Sequence, residues 1–142
     1  ESFREATLSM LDAVATNITS KVYNRCKYVI QEIERMEAAC NHLLAGEIDA
    51  FGARMYETHI GLSELYEVSC PELDMIVENC KPEPAIIGAR MMGGGFGGCV
   101  IALAQSTEVD SVYSRINTLY ERQFGRSMGK YVMQIGDGTT LL

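Results

Sequence analysis

The strongest constraint on the fold of this chain is a glycine-rich segment, Gly93 to Gly98, in which five glycines are interrupted only by Phe96. Fixing a glycine in one conformation loses more backbone entropy than fixing any other residue. Such a segment is useful where the backbone needs positive φ angles, or where another group must touch bare backbone. A phosphate is one such group, because successive N–H groups form an anion-binding concavity.

The glycine segment lies between two short apolar runs, Ala85 to Met92 and Cys99 to Ala104, and each run is typical of a buried strand. Two interpretations stay open on chemistry alone. The segment is a tight or bulged hairpin, or it is a backbone cradle that completes a phosphate site whose main parts lie elsewhere. It is not a P-loop, since no Gly-Lys-Ser/Thr follows it. It is not a dinucleotide fingerprint either, since a strand rather than a helix comes next.

Hydrophobic periodicity predicts four helices, of which the first two form a pair. A long amphipathic helix runs from about Val22 to Leu44 and stops at Gly46. The next helix runs from about Glu47 to Tyr66. A short turn between two long helices favours antiparallel packing.

In the second half of the chain, the hydrophobic pattern predicts two more helices and a further strand. One helix begins at Ser69-Cys70-Pro71-Glu72, with Ser69 and Glu72 as a capping box, and the other is capped by Ser106 or Thr107. The segment from Lys130 to Ile135 is interpreted as a third strand that ends at Gly136-Asp137-Gly138. From Leu73 onward the order is most of a ferredoxin-like pattern, whose first strand would lie in residues 1 to 18 or upstream. The prediction is an α+β fold with three or four antiparallel strands against four helices.

Composition narrows the class of protein. The chain has 142 residues, which suits one domain over 1–142, and its net charge of −7 with no basic run argues against nucleic-acid or membrane partners. No apolar stretch approaches the roughly 18 to 20 residues of a membrane helix, and no signal peptide opens the chain. The five cysteines include no Cys-x-x-Cys pair, and there are only two histidines. This indicates reduced thiols in a cytoplasmic protein without a metal site.

The run from Gly88 to Cys99, Gly-Ala-Arg-Met-Met-Gly-Gly-Gly-Phe-Gly-Gly-Cys, closely resembles the third signature motif of the galactokinases, members of the GHMP kinase superfamily. The segments Tyr66 to Asp74, Val22 to Val29 and Met55 to His59 also resemble galactokinase segments. The resemblance covers roughly residues 20 to 105 in the family's order. It implies a ferredoxin-like GHMP kinase C-terminal domain, and the segment from Tyr66 to Asp74 narrows it to the galactokinase branch.

The resemblance implies a C-terminal domain only. In this family an N-terminal domain carries the catalytic Asp, most galactose contacts and the ATP phosphate loop, and none of those motifs is found here. The full-length protein is expected to transfer the γ-phosphoryl of ATP to the anomeric hydroxyl of galactose with Mg²⁺. This chain is expected to hold no catalytic residue, to bind no cofactor alone, to be inactive alone, and to have the N-terminal kinase domain as its partner.

The resemblance also assigns the site residues. The third motif folds against the phosphate loop and helps shape the nucleotide and sugar sites. Arg90 is a further candidate, either bracing the carbonyls of the loop or facing the cleft. Met92 stands where the family commonly has Thr, so a hydroxyl is missing there. The loop-supporting role falls on Gly93, Gly94, Gly95, Phe96, Gly97 and Gly98.

The remaining polar candidates are interpreted as structural. His59 falls on an apolar helix stripe and is predicted to be a hydrogen-bonded core histidine. Phe96 is predicted to anchor the loop in a hydrophobic pocket rather than to stack on a base. No acidic residue is a credible general base, and five acids are predicted to be solvated or capping groups: Glu57, Glu64, Glu67, Glu72 and Asp74.

Three alternative functions stay open. The chain belongs to a non-catalytic sugar sensor built on the same fold, or to a related sugar kinase such as an N-acetylgalactosamine kinase. A free-standing ferredoxin-like binding module is the third.

Overall fold

The computed structural model describes residues 2–134 and Gly136, which form five α-helices and a two-stranded antiparallel sheet. The α+β class and the four predicted helices are confirmed, and a short additional helix precedes them. Two short 3-10 segments, Phe3–Glu5 and Ala15–Asn17, flank that first helix. The helices are α1 (Leu8–Ala13), α2 (Ser20–Ala45), α3 (Ile48–Glu64), α4 (Pro71–Cys80) and α5 (Val109–Phe124), and the strands are β1 (Ile86–Met92) and β2 (Cys99–Ala104).

Helices α2 and α3 form an antiparallel hairpin, as predicted. Gly46 ends α2 in the left-handed conformation at φ 74°, and its N–H bonds back to the last turn of the helix. The Thr58 hydroxyl donates to Glu32 Oε1 at 2.9 Å, and further along the pair Gly61 lies against the ring of Tyr28. In the described part of the chain no helix, α2 included, is both long and apolar enough to cross a membrane.

The hydrophobic core lies between the sheet and the pair formed by α4 and α5. Its buried members come from α4, from β1 and the residue before it, and from α5, and Cys80 among them is almost fully enclosed. Burial raises the pKa of the Cys80 thiol to about 11, so this cysteine packs as a neutral small hydrophobe. The buried core residues are Val77, Cys80, Ala85, Ala89, Val112 and Ile116.

Helix α3 covers the outer edge of β1 at very short range. A methyl group at Gly52 of α3 would overlap the carbonyl of Ile87, and one at Gly88 of β1 would lie 2.6 Å from the Cα of Gly52. Two glycines therefore let the helix touch the strand backbone. A covered edge needs no further strand, which leaves the far edge of β2 as the open side of the sheet.

The sheet has two strands in the described residues, not the predicted three or four. The segment predicted as a third strand has no regular structure over 130–134, where Tyr131 is 85% exposed, and Ile135 and 137–138 lie outside the described residues. Residues 2–18 are helical or irregular, so they do not hold the predicted first strand. An alternating apolar pattern forms a strand only beside a partner strand, and the described residues place none next to 130–134.

Two predicted helix caps and the burial of β2 also need correction. Cys70 is the N-cap of α4, and the Ser69 hydroxyl donates to Asp74 instead of capping. Helix α5 begins after Glu108 without a side-chain cap, so neither Ser106 nor Thr107 fills that role. Strand β2 has the predicted bounds, but with one open edge it is largely exposed.

Candidate functional site

The glycine loop, residues 93–98, joins β1 to β2 and needs a backbone that few residues adopt. Phe96 has φ 58°, a left-handed conformation that costs a non-glycine residue on the order of 1–2 kcal/mol. The hairpin interpretation therefore explains part of the glycine content. Four glycines of the loop have positive φ: Gly93, Gly95, Gly97 and Gly98.

One hydrogen bond ties the loop to the linker between α3 and α4. The N–H of Phe96 donates to the carbonyl of Val68 at 2.7 Å. A Cβ atom at Gly95 would overlap that same carbonyl oxygen. Glycine is therefore required at position 95 both for its φ of 87° and for the close approach of the linker.

The other N–H groups of the loop are available. Among the residues that the structure describes, no acceptor bonds the N–H of Gly93, Gly94, Gly95 or Gly97. Neighbouring N–H donors on an exposed loop can together bind an anionic oxygen. The loop thus combines a hairpin with four backbone donors that are unbonded in the described residues.

Arg90 lies on β1 next to the loop and is half-buried. Its Nη1 donates to the carbonyl of Met91 at 3.1 Å. Met91 is the last buried residue before the loop. Met92, the residue in place of the common Thr, is 45% exposed at the end of the strand. The guanidinium therefore contacts the backbone leading into the loop.

No hydrophobic pocket of the described residues anchors Phe96. Its side chain is 76% exposed and lines a cleft of about 210 Å³ together with Cys70, Leu73 and Tyr120, among others. The left-handed backbone commits the N–H of Phe96 to Val68 and leaves the ring outside the core.

His59 is a hydrogen-bonded core histidine, as predicted. It is 3% exposed, its Nδ1 accepts the N–H of Met91 at 3.2 Å, and its Nε2 lies 3.1 Å from Asp74 Oδ1. Burial lowers the pKa of the His59 imidazole, and the Asp74 carboxylate opposes that effect. One nitrogen accepts and the other donates, so the ring is neutral with its proton on Nε2.

Asp74 is predicted as a solvated or capping group, and its side chain is 40% exposed, but it also bonds three partners, the first of which is His59. Its Oδ1 also accepts the Ser69 hydroxyl at 2.5 Å, and its Oδ2 accepts the Ser63 hydroxyl at 3.1 Å. The sequence carried one signal for this cluster, because a buried histidine needs a partner. Several acids nearby could have served, and only the packing of α4 on α3 selects Asp74.

Surface ion pairs occupy three of the other acids. Glu57 pairs with Arg54 Nη2 at 2.7 Å, and Glu72 pairs with Arg126 Nη2 at 3.0 Å. Glu67 lies 3.2 Å from Lys21 Nζ at the start of α2. Within the described ranges there is no cluster of three or more His, Cys, Asp or Glu residues that could hold a metal ion.

Comparisons with known proteins agree with the resemblance. The galactokinases of Bos taurus and Homo sapiens are each 37% identical over 142 residues, all of this chain and 35% of their own length. The Clostridium perfringens galactokinase is 38% identical over 123 residues, 87% of this chain and 32% of its own.

A solved structure of similar fold is the Lactococcus lactis galactokinase complexed with galactose. Its TM-score is 0.89 at 33% identity, covering 100% of this chain and 37% of that one. The chain thus spans about a third of the length of the relatives that it matches. The profile of the family described as GHMP kinases C terminal matches residues 36–122, more than half of the chain. The chain therefore belongs to the GHMP kinase C-terminal family.

Proposed function

We propose that the protein carrying this chain is a galactokinase, which phosphorylates galactose at its anomeric hydroxyl with ATP. Residues 1–142 form its C-terminal domain. The observation that carries the proposal is the glycine loop: in the described residues four of its N–H groups have no acceptor, while the N–H of Phe96 is bonded to the Val68 carbonyl. Similarity to galactokinases along the whole chain supports the same proposal.

The loop completes the nucleotide and sugar cleft as a set of fixed donors. Phosphoryl transfer depends mainly on positioning and on stabilising the charge of the transferred group. N–H groups held in place before the reaction do this without reorganising. Arg90 supports the loop through the Met91 carbonyl. With Met92 in place of a threonine, only backbone groups donate at this end of the loop.

The described part of this chain offers groups that suit the phosphates of ATP but no cluster of groups that suits Mg²⁺. The loop donors suit phosphate oxygens, whereas Mg²⁺ prefers carboxylate and water ligands. The described residues hold no cluster of acids that could bind a metal, so we assign the Mg²⁺ ligands and the general base to the N-terminal kinase domain. When bound, Mg²⁺ neutralises phosphate charge.

The surface around the loop fits a partner domain. Met92, Phe96 and Ile101 are 45%, 76% and 41% exposed, and all three lie on the loop or its flanking strands. We propose that the N-terminal kinase domain covers them. The five cysteines form no disulfide, which suits a reducing, cytoplasmic location.

The test is an assay of the full-length protein with ATP and either galactose or N-acetylgalactosamine. We expect ATP-dependent phosphorylation of galactose, a much lower rate with N-acetylgalactosamine, and no product from residues 1–142 alone. A full-length protein that binds galactose without turnover would be the sugar sensor instead. Turnover by the purified 142-residue chain would contradict the division of roles.

A pair of neighbouring variants tests the part played by the loop. Gly95→Ala should lower turnover at least tenfold, because the new methyl group overlaps the Val68 carbonyl and pushes the loop away. Gly94→Ala is the matched control for folding, since a methyl group there meets nothing within 4 Å. Equal melting temperatures and equal turnover in both variants would contradict a positioned loop.

A further inference from the structure

We infer that His59, held by Asp74, is a positioning residue for the glycine loop, and that a hydrogen-bond network centred on this buried histidine sets the geometry of the loop. The proposed role in turnover rests on the function proposed above, whereas the role in holding the loop stands on the contacts alone. The network consists of His59, Ser63, Val68, Ser69 and Asp74, and none of the five belongs to the loop itself.

The first tether of the network acts on the strand that leads into the loop. The N–H of Met91 points away from β2 and donates to His59 Nδ1 at 3.2 Å. At this outer edge of the sheet the imidazole takes the place that a carbonyl of another strand would have. Met91 is fully buried, so its N–H has no water to bond if the imidazole is lost.

The second tether acts inside the loop. The Val68 carbonyl accepts the N–H of Phe96 at 2.7 Å, and strained residues lie on both sides of it. Glu67 and Phe96 have φ of 61° and 58°, and non-glycine residues keep such angles only where surrounding contacts hold them. Glu67 also forms an exposed ion pair with Lys21 of α2 at 3.2 Å.

Asp74 joins the two tethers. Its Oδ1 accepts both from His59 Nε2 at 3.1 Å and from the Ser69 hydroxyl at 2.5 Å, and Ser69 is the neighbour of Val68. Its Oδ2 accepts from Ser63 near the end of α3. The Asp74 carboxylate on α4 therefore bonds two groups of α3, His59 and Ser63, and one group of the linker, Ser69. Through His59 it acts on β1, and through Ser69 it acts on the linker that bonds the loop.

The two tethers enclose residues 92–95, which carry three of the unoccupied N–H groups. A loop held at both ends keeps its donors in one arrangement, and such preorganisation lowers the barrier rather than tightening ground-state binding. Loss of a tether should therefore reduce kcat more than it changes KM for the sugar.

Two substitutions at position 59 separate the two functions of the imidazole. In His59→Asn the amide oxygen occupies the place of Nδ1 and still accepts the Met91 N–H. In His59→Gln the longer amide reaches Asp74 instead and leaves that N–H unbonded. The control is His42→Asn, which changes a histidine that lies beside Glu47 at the end of α2, far from the loop in the sequence.

Hydrogen exchange of the full-length protein, followed by mass spectrometry over residues 88–98, is the primary measurement. His59→Gln should speed exchange of this segment about tenfold or more, while His59→Asn and His42→Asn should stay within about threefold of the unmodified protein. Asp74→Ala should speed exchange on both sides of residue 95. Equal exchange in the Asn and Gln variants of His59 would overturn the inference.

Kinetics provide the second measurement. We expect His59→Gln to lose about tenfold in kcat with the galactose KM within about twofold, and His59→Asn to recover most of that loss. A change confined to KM would overturn the role in turnover. An unmodified protein that shows no sugar kinase activity would contradict the proposed function, while the exchange measurement would still decide whether His59 positions the loop.

Discussion

At the scale of single residues, His59 shows how one side chain can serve two elements. The imidazole is neutral and almost completely enclosed, with the Met91 N–H on one nitrogen and the Asp74 carboxylate on the other. If the ring gained a second proton, its Nδ1–H would face the N–H of Met91, and two donors cannot bond each other. The site therefore depends on a neutral histidine.

This dependence predicts a pH effect on stability. Burial lowers the pKa of His59, the Asp74 and Glu78 carboxylates oppose the shift, and the Lys81 ammonium adds to it. The unfolded state then binds more protons than the folded state at acid pH. The contribution of His59 should be complete above about pH 6.5, the ordinary pKa of histidine, and should be lost as pH falls through the lowered value.

Thermal melts between about pH 5 and pH 8 measure this effect, since histidine titrates in that range. The melting temperature should fall toward acid pH, and His59→Asn should flatten the part of the curve below about pH 6.5. His42→Asn is the control, because its imidazole is partly exposed beside Glu47. A curve that His59→Asn leaves unchanged would show that the ring carries no such linkage.

At the scale of elements, the contact between α3 and β1 decides where the site lies. Gly52 and Gly88 let the helix touch the strand backbone, and the same approach brings His59, two turns further along α3, to the edge of β1. A helix held one side-chain layer further away could not bond the Met91 N–H directly. The two glycines thus belong to the site although neither is part of the loop.

Gly52→Ala tests this contact, because it should lower the free energy of unfolding where a glycine-to-alanine change in a helix usually raises it. In an exposed helix interior, alanine is more favourable than glycine by about 1 kcal/mol. Here the added methyl group overlaps the Ile87 carbonyl, and overpacking of this kind costs about 1–3 kcal/mol. Chemical denaturation should show a lower free energy of unfolding for Gly52→Ala, whereas Ala53→Ser, on the exposed side of α3, should change little. A stabilised Gly52→Ala would contradict the close contact.

The sequence predicted those elements whose cause is local. The periodicity of α2, its stop at Gly46 and the apolar runs of β1 and β2 all depend on neighbours in the chain. The strand expected at 130–135 depends on a partner strand that no local pattern reveals. Likewise, the sequence predicted a satisfied core histidine, but the choice of Asp74 over other acids depends on how α4 packs against α3.

At the scale of the whole molecule, the two edges of the sheet differ in how they are covered. Helix α3 covers the outer edge of β1, while the far edge of β2 pairs with no other strand in the described residues. Ile101 on β2 is 41% exposed. An apolar strand with an open edge is a template for pairing with another chain.

The isolated 142-residue chain should therefore associate as its concentration rises. Analytical ultracentrifugation under reducing conditions should show larger species, and Ile101→Lys should suppress them because a charged side chain disfavours strand pairing. Leu44→Lys is the matched control, since Leu44 is 87% exposed at the end of α2, away from the sheet. Equal suppression by both variants would assign the association to general hydrophobicity instead.

The linker between α3 and α4 has a practical consequence for protein engineering. Its irregular backbone and half-exposed residues would make 65–70 an attractive place to insert a tag, a fluorophore or a split point. The Val68 carbonyl, however, accepts the Phe96 N–H of the glycine loop, and the neighbouring Ser69 hydroxyl donates to Asp74. Insertions at 65–70 should therefore disturb the glycine loop and lower activity. The turn at Gly46, where a side chain would meet nothing within 4 Å, is the safer place to open the chain.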